Sequence, residues 1–412
     1  MHALRIWAAL AWRNVWRNRR RSLLTISIVA VATAALALSL GFILSSFEGL
    51  KYSVIYGGMG HVQVARSEQF ANLENKPLEF GITPEERQRI QPVLAQNPAL
   101  RKVLGRLAFQ GLISNGENTQ TFVGDGVQPD AEWQVFGRSM NVVDGEYLSE
   151  DDSERFSVML GKQLAERLHA KVGDNLTLMV AAATGQINAA DVTVKGILST
   201  GIADRDRYLL TMPLAGAQSL LRSNKISRLV AVMTSQTSTL PAAAQVEPLL
   251  PAHFALRSWR QLNPIYDQLV ALYRGQFLVF GTILLGVAFL SILNTVIMNV
   301  MERGREIGTL RAMGIDAGRI RTGFLLESFY MCGTGGLAGI AIAKLICVAV
   351  VWLKVMMPPP PGYTSGYPLQ FIWVNSYVLG CAATLVLAGM IAAWFASRYV
   401  ARLNVVDAIN SH

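Results

Sequence analysis

Four long runs of apolar residues dominate the sequence, and each has the length that a helix needs to cross a lipid bilayer. Ser22–Phe47, Gly275–Met301 and Phe371–Ser397 contain no charged residue, and Ser328–Leu353 contains one, Lys344. A spanning helix needs roughly 20 mostly apolar residues. Of all 412 residues 51% are hydrophobic and 16% are charged, against about 25% charged in ordinary soluble proteins. The sequence therefore predicts an integral membrane protein with four transmembrane α-helices.

Basic residues are concentrated beside the apolar runs. From Glu48 to Arg274 there are 22 Lys and Arg against 23 Asp and Glu, so the rest of the chain has 15 Lys and Arg against 5 Asp and Glu. Short cytoplasmic loops of membrane proteins carry such an excess, and this placement argues against a nucleic-acid-binding surface. We therefore expect both termini and the 302–322 loop in the cytoplasm. The 354–370 loop and the segment between the first two runs are then outside.

The 227 residues between the first two runs have mixed polarity and can fold as a domain of their own. Strand-like and helix-like patterns alternate there, as in the strand Thr119–Val127 and the short helix Gly161–His169. This order predicts an α+β domain. We expect two lobes, one from both ends of the segment and one from its middle, at about 110–205. All three cysteines lie in the third and fourth runs, so no redox or metal site is indicated in the domain: they are Cys332, Cys347 and Cys381.

These patterns divide the chain into nine segments. The predicted segments are a cytoplasmic amphipathic helix at 1–21, transmembrane helices at 22–47, 275–301, 323–353 and 371–397, the α+β domain at 48–270, a cytoplasmic helix at 302–322, a proline-rich outer loop at 354–370 and a cytoplasmic tail at 398–412. The first segment carries Trp7, Trp12 and Trp16 among arginines, which suits an interfacial helix leading into the first span. An ordinary basic flank that only sets the topology is the alternative.

A few polar or small residues interrupt the third apolar run. Lys344 is 22 residues beyond Thr322, about 33 Å along a helix, which places it near the outer boundary where lysine snorkels. Glu327, just before this run, lies near the inner boundary, and we expect it to pair with Arg321 or to cap local charge. A row of glycines favours close helix packing, with a moving hinge as the alternative: Gly333, Gly335, Gly336 and Gly339.

The most informative cytoplasmic segment is 299–321, NVMERGREIGTLRAMGIDAGRIR. Ile307, Leu310 and Met313 form an apolar edge at helical spacing, and acidic residues alternate with arginines. A short amphipathic helix of this kind can lie on the membrane or fit a groove of a cytoplasmic partner. The mixed signs of charge favour the protein groove, with the membrane as the open alternative.

Several segments resemble the FtsX-like permeases of ABC transporters, which include the lipoprotein-releasing permeases and the macrolide exporter. The matching segments are LAWRNVWRNRRRSLLT at 10–25, MERGREIGTLRAMG at 301–314 and SRYVARLNVVDAI at 397–409, with GKQLAERLHAKVGDNLTL at 161–178 and TMPLAGAQSLL at 211–221 in the outer domain. The resemblance covers essentially the whole chain in the right order. The MERxxEIGxLRAxG pattern is specific for the family but not for a substrate.

The resemblance implies mechanotransmission, in which an ATPase drives motion of the outer domain. The 302–316 helix would be the coupling helix on the ATPase, through Glu302, Arg303, Glu306, Ile307, Gly308, Leu310, Arg311, Met313 and Gly314. A second ATPase contact would be made by Leu403, Val405, Val406, Asp407 and Ile409. The partners would be a cytoplasmic ABC ATPase dimer, a second permease copy or paralogue, and membrane lipid. This chain would not be an enzyme and would hold no cofactor; since the sequence has no G-x-x-x-x-G-K-[ST] motif, ATP and Mg would be bound by a separate ATPase.

The resemblance leaves three functions open. The first is a bacterial inner-membrane permease that extracts or exports lipoprotein, lipid or another amphiphile, with a periplasmic acceptor or adaptor as a further partner. Its cavity walls would include Phe42, Phe47 and Phe277. The second is a transducer that transports nothing and activates a periplasmic partner such as a cell-wall hydrolase. The third is an efflux permease working with an adaptor and an outer-membrane channel. The size of the outer domain favours the first.

Overall fold

The computed structural model describes residues 2–17, 19–71, 78–153, 156–234, 239–358 and 366–402. The helices are α1 (His2–Arg17), α2 (Arg19–Val54), α3 (Ser67–Ala71), α4 (Pro84–Ala95), α5 (Pro129–Phe136), α6 (Lys162–Leu168), α7 (Ala203–Asp206), α8 (Leu214–Leu221), α9 (Thr239–Val246), α10 (Trp259–Leu262), α11 (Pro264–Glu302), α12 (Gly304–Ala312), α13 (Ala317–Trp352) and α14 (Asn375–Arg402). A π-helical turn, Ile55–Met59, follows α2.

The strands are β1 (Val62–Arg66), β2 (Leu100–Ser114), β3 (Thr119–Val127), β4 (Asn141–Gly145), β5 (Ser157–Gly161), β6 (Asn175–Ala181), β7 (Ile187–Ser199), β8 (Leu209–Pro213), β9 (Arg228–Met233), β10 (Phe254–Ser258), β11 (Met356–Met357) and β12 (Tyr367–Pro368). The chain forms two compact units. A spanning unit comprises Met1–Glu48, Leu269–Met356 and Pro368–His412, and a mixed unit comprises Gly49–Gln268 and Met357–Tyr367.

Four of the described helices are long and apolar enough to cross a membrane, as predicted. They cover Arg19–Met59, Pro264–Glu302, Ala317–Trp352 and Asn375–Arg398. The helices extend beyond most of the uncharged runs because α-helical hydrogen bonding continues into polar sequence at either end. The fourth differs, since its helix begins at Asn375 rather than at Phe371.

The spanning unit is held together by small and branched apolar side chains between its helices. One buried cluster takes residues from α2, α11, α12, α13 and α14, including Val29, Ile292 and Phe324. Glycines of α13 allow α2 to come close: a Cβ at Gly339 would lie 2.5 Å from the carbonyl oxygen of Ala30. The Lys344 ammonium lies 4.8 Å from the centre of the Trp373 ring, a cation–π distance.

The mixed unit is built on a ten-stranded sheet with the order β10-β1-β9-β2-β3-β8-β5-β7-β4, and β6 pairs with β2 and β7. Strands from the two ends of the segment (β1, β9, β10) and strands from its middle meet at β2, which pairs with both groups over its 15 residues. One apolar core runs through both groups, from Val64 and Leu256 to Leu160 and Leu178. The two-lobe division stays a prediction, and its middle part would reach Pro213 because β8 lies between β3 and β5.

Sequence patterning located the strands of this unit better than its short helices. The prediction for Thr119–Val127 matches β3, and the helix expected at Gly161–His169 is α6. The capped helix α4 was not predicted, although Thr83 and Glu86 form a capping box at its start. Of the proline-rich outer loop expected at 354–370, residues 359–365 lie outside the described residues.

Candidate coupling site

The segment between the second and third spans folds as a short helix with a break at each end. Arg303 leaves helical geometry after α11, and α12 follows for nine residues. Gly314 then turns the chain with φ +87°, a conformation that favours glycine. The Asp316 carboxylate caps α13 by accepting a hydrogen bond from the backbone N–H of Gly318 at 2.9 Å. The helix is thus a separate element, with a break in helical geometry at either end.

One face of α12 is buried inside the spanning unit. Ile307 is 3% exposed and belongs to the same apolar cluster as Val300 and Ile320, and Leu310 packs against that cluster. Gly308 is also buried. Three of the residues expected to contact an ATPase therefore lie wholly or partly against the helices of their own unit.

The opposite face of α12 is open. Arg305, Glu306, Thr309 and Ala312 are exposed, and Met313, just past the helix, is 67% exposed. This face combines one large apolar side chain with charges of both signs. We call these five residues the open face of α12.

Ion pairs join α12 and the end of α11 to the N-terminal helices. The Glu306 carboxylate accepts hydrogen bonds from Arg17 at 3.0 Å and from Arg303 at 2.9 Å, and Glu302 pairs with Arg21. The hydrogen bond from Arg303 lowers the pKa of Glu306, and the positive charges of Arg303 and Arg17 lower it further. The side chains of Glu306 and Arg17 are half exposed, so their ion pair contributes less than about 1 kcal/mol to stability.

A buried carboxylate lies beneath this surface layer. The Glu327 side chain is 7% exposed, and its Oε1 accepts hydrogen bonds from Arg303 Nη1 at 2.9 Å and Asn14 Nδ2 at 2.7 Å. The Arg303 guanidinium also lies 5.8 Å from the centre of the Phe324 ring. Glu327 of α13 thereby connects α1 with the turn that begins α12.

The expected pairing of Glu327 with Arg321 is wrong, whereas the alternative, a cap on local charge, agrees with the contact to Arg303. Its partners are Arg303 and Asn14. Residues three or four apart on a helix are neighbours, whereas these two are six apart and face different directions. The contact with Asn14 joins residues 313 positions apart, which no local pattern in one sequence reveals.

The remaining predicted site residues are distributed through the chain. Phe42 has its ring 6.5 Å from Phe371, Phe47 has its ring 6.0 Å from Tyr273, and Phe277 packs against the apolar cluster of the spanning unit. The three rings thus have different neighbours, and a cavity wall formed by them stays a prediction. The second expected ATPase contact, 403–409, lies outside the described residues.

Two protein-family models match different parts of the chain. Residues 22–249 match the family model of the MacB-like periplasmic core domain, and residues 278–405 match that of the FtsX-like permease C-terminal domain. The chain belongs to the FtsX-like ABC transporter permeases with a MacB-like periplasmic core. It is a multi-pass membrane protein, the mixed unit contains its periplasmic domain, and it is a non-catalytic permease subunit. The predicted family and fold class are confirmed.

Relatives of this permease carry several different transport names. It is 23% identical over 79% of its length to the lipoprotein-releasing system transmembrane protein LolE of Haemophilus influenzae, covering 81% of that protein. It is 24% identical over 84% of its length to LolC of Neisseria meningitidis serogroup B, covering 82%. It is 26% identical over 97% of its length to the pyoverdine export ATP-binding/permease protein PvdT of Pseudomonas fluorescens, but covers 58% of that longer protein.

Proposed function

We propose that this permease couples ATP hydrolysis by a separate cytoplasmic ATPase to motion of its periplasmic domain, and that it extracts or exports lipoprotein, lipid or another amphiphile from a bacterial inner membrane. The observation that carries the proposal is the architecture of α12. One face of this helix is packed into the spanning unit through Ile307, and its start is tied to α1 and α13 through Arg303 and Glu327. Force applied to the open face would reach both helices.

The ATPase contact in this proposal is the open face of α12. Met313 supplies an apolar anchor, while Arg305 and Glu306 supply charges of opposite sign around it. Interfaces combine a buried apolar anchor with a polar rim in this way. A groove in a protein suits this mixture better than an anionic lipid surface does. Ile307 and Gly308 act from inside, by fixing the helix on the bundle.

The assignment of α12 as the ATPase contact also predicts the orientation of the chain in the membrane and its assembly with partners. With α12 on an ATPase, both termini lie in the cytoplasm, in keeping with the arginines that flank the spans. The residues 403–409 would add a second contact to the ATPase. ATP and Mg would be bound by an ATPase dimer, and the permease would pair with a second copy or a paralogue.

Two relatives support an amphiphilic substrate. The lipoprotein-releasing proteins LolE and LolC each match about four fifths of their own length. In the PvdT relative the matched part is 58% of a longer protein. A lipoprotein or lipid therefore has more support than a soluble compound, and a periplasmic acceptor would receive it.

The second candidate function is efflux. The PvdT relative supports it, because that protein is named as an export ATP-binding/permease protein. In that case the permease would be an efflux component working with an adaptor and an outer-membrane channel. A non-transporting transducer acting on a cell-wall hydrolase is the third possibility, and it has no support from the three relatives described above.

Affinity purification of the full chain in mild detergent, with mass spectrometry of bound proteins and lipids, tests the proposal. We expect an ABC ATPase together with a lipoprotein or lipid. Glu306→Lys should lose the ATPase, whereas the matched charge reversal Glu166→Lys, at an exposed position of the periplasmic domain, should retain it. An ATPase bound with a hydrolase and no amphiphile would overturn the substrate assignment. Failure to recover any ATPase would overturn the coupling assignment.

A further inference from the structure

The first spanning helix ends in a cluster of glycines inside the mixed unit. After the π-helical turn, Gly58 has φ +112° and Gly60 has φ +70°, and the Gly60 N–H donates to the carbonyl of Ile55 at 2.9 Å. The last carbonyls of a helix have no partner within the helix. Here three consecutive carbonyls, those of residues 57, 58 and 59, are available at the point where the chain turns into β1.

Three side chains cap those carbonyls. Arg205 donates to the carbonyl of Gly57, Arg106 donates to that of Gly58, and Gln63 Nε2 donates to that of Met59 at 2.8 Å. Positive charge is favourable at a helix C-terminus because the backbone dipoles point their negative ends there. The two guanidiniums converge on one residue, since a Cβ at Gly58 would lie 3.2 Å from each of them.

The two arginines are held by different parts of the unit. Arg106 lies on β2 where it pairs with β9, is 3% exposed, and forms a buried ion pair with Glu132 of α5. Arg205 lies on α7, between β7 and β8 of the middle group of strands. The helix end is thus bonded through Arg106 to β2, at the point where β2 pairs with β9, and through Arg205 to the middle strands.

The short helix α7 is firmly anchored to the middle strands. The buried Asp206 carboxylate accepts hydrogen bonds from the Ser199 hydroxyl at 2.7 Å and from the Thr200 N–H at 2.8 Å. The backbone carbonyl of Asp206 also lies 2.3 Å from where a Cβ of Gly161 would be, so α7 touches the end of β5 directly. A displacement of the middle strands would therefore carry Arg205 with it.

Arg205 differs from two nearby arginines, Arg106 and Arg228, in the chemical group that it pairs with. Arg106 pairs with Glu132, and Arg228 pairs with Asp125 at 2.7 Å. Among the described residues no carboxylate oxygen lies within 4.0 Å of the Arg205 guanidinium, and its hydrogen bond goes to the Gly57 carbonyl. A cavity of about 60 Å³ adjoins both arginines and Gly58.

We propose that Arg106 and Arg205 are positioning residues that clamp the end of the first spanning helix to β2 and to the middle strands, so that the helix end and the middle strands move as one body. The proposed function supplies the motion that this clamp would transmit, and the inference rests on it in that respect. Release of Arg205 alone would loosen the middle strands relative to the helix end, which Arg106 would still hold to β2. Release of Arg106 would also leave Glu132 buried without its counter-charge.

Distances between spin labels in the full-length chain, in lipid nanodiscs and without any ATPase, test the clamp directly. In a background without the native cysteines, one label replaces Gly49 on the helix. The second replaces either Ile187, 83% exposed on the middle strands, or Arg257, exposed on β10. In the Arg205→Ala variant we expect the Gly49–Ile187 distance distribution to shift and broaden, while the Gly49–Arg257 distribution keeps its width.

Arg207→Ala is the matched control, because Arg207 lies one residue past the same helix and pairs with the exposed Asp204. It should leave both distributions unchanged. If Arg205→Ala fails to fold, Arg205→Lys, which keeps a single charged donor, should give an intermediate width. A Gly49–Ile187 distribution identical to that of the parent chain in the folded variant would overturn the clamp. Because this measurement needs neither ATPase nor substrate, it stays decisive even if the proposed function fails.

Discussion

Arg303 Nη1 lies 2.9 Å from Glu327 Oε1, and this contact ties the start of α12 to the third spanning helix beneath a surface layer of weaker ion pairs. Replacing Glu327 by Gln should remove the buried charge that Arg303 faces. A hydrogen bond to a charged group is worth about 1.5–3 kcal/mol, so we expect a loss of about 2 kcal/mol in unfolding free energy. Coupled ATP hydrolysis by the complex should fall as well. Chemical unfolding in detergent and ATP turnover with the partner ATPase measure the two effects.

Arg319→Ala is the control for this prediction, because Arg319 is exposed on the first turn of the same helix. It should leave both quantities close to those of the parent. A Glu327→Gln protein with parental stability and parental turnover would show that the contact has no role in holding α12.

Substitution by aspartate should have different effects on the two faces of α12, impairing ATPase binding on one and folding on the other. Met313→Asp places a charge on the open face, where Met313 is 67% exposed, so the protein should fold normally and lose the ATPase on purification. Ile307→Asp buries a carboxylate without a partner, which costs several kcal/mol, so the folded yield should fall. Size-exclusion profiles and recovery of the ATPase separate the two outcomes. Retention of the ATPase by Met313→Asp would exclude the open face as the contact.

Gly339 lies where α13 packs closely against α2, whereas Gly333 on the same helix has space around it. A Cβ at Gly339 would lie 2.5 Å from the Ala30 carbonyl oxygen and 2.6 Å from Thr33 Cβ, whereas nothing lies within 4 Å of a Cβ at Gly333. Gly339→Ala should destabilise the protein by about 1–3 kcal/mol through overpacking. Gly333→Ala should stabilise it by up to about 1 kcal/mol through helix propensity. Thermal unfolding in detergent compares them; equal midpoints would contradict the packing.

The sequence predicted those elements whose signal is local and repeated. Uncharged runs located the spanning helices, and alternating apolar residues located strands such as Thr119–Val127, because burial on one face imposes the period. The motif at 301–314 predicted a short amphipathic helix, and α12 lies within it at Gly304–Ala312. Its inward face was not predicted, because Ile307 is buried by residues from distant helices rather than by its own neighbours.

The contacts that define the proposed sites could not be predicted for the same reason. Glu327 meets Asn14 across 313 positions, and Arg205 reaches Gly57 across 148. Asp204, Arg205, Asp206 and Arg207 look like a solvated surface turn in the sequence. In the structure Asp206 is fully buried and Arg205 bonds the end of a spanning helix. Only the fold distinguishes these two residues from the exposed Asp204 beside them.

Buried His61 predicts a dependence of stability on pH. Its Nδ1 accepts a hydrogen bond from the Met233 N–H at 3.2 Å. Burial lowers the pKa of His61 from 6.5 to about 4, and the charge of Lys51 adds to this. Between these two pH values the unfolded chain binds more protons than the folded one, so stability is retained above about pH 6.5 and falls as the pH drops towards 4. The slope from this one group is at most about 1.4 kcal/mol per pH unit.

His61→Asn keeps an acceptor for the Met233 N–H and does not titrate, so its unfolding free energy should fall less between pH 7 and pH 5 than that of the parent. The exposed His169 has φ +51°, a conformation that asparagine tolerates, so His169→Asn is the matched control for the substitution itself. Denaturant unfolding in detergent at the two pH values gives both slopes. If His61→Asn and the parent lose the same stability on acidification, another group controls the acid sensitivity of the periplasmic domain.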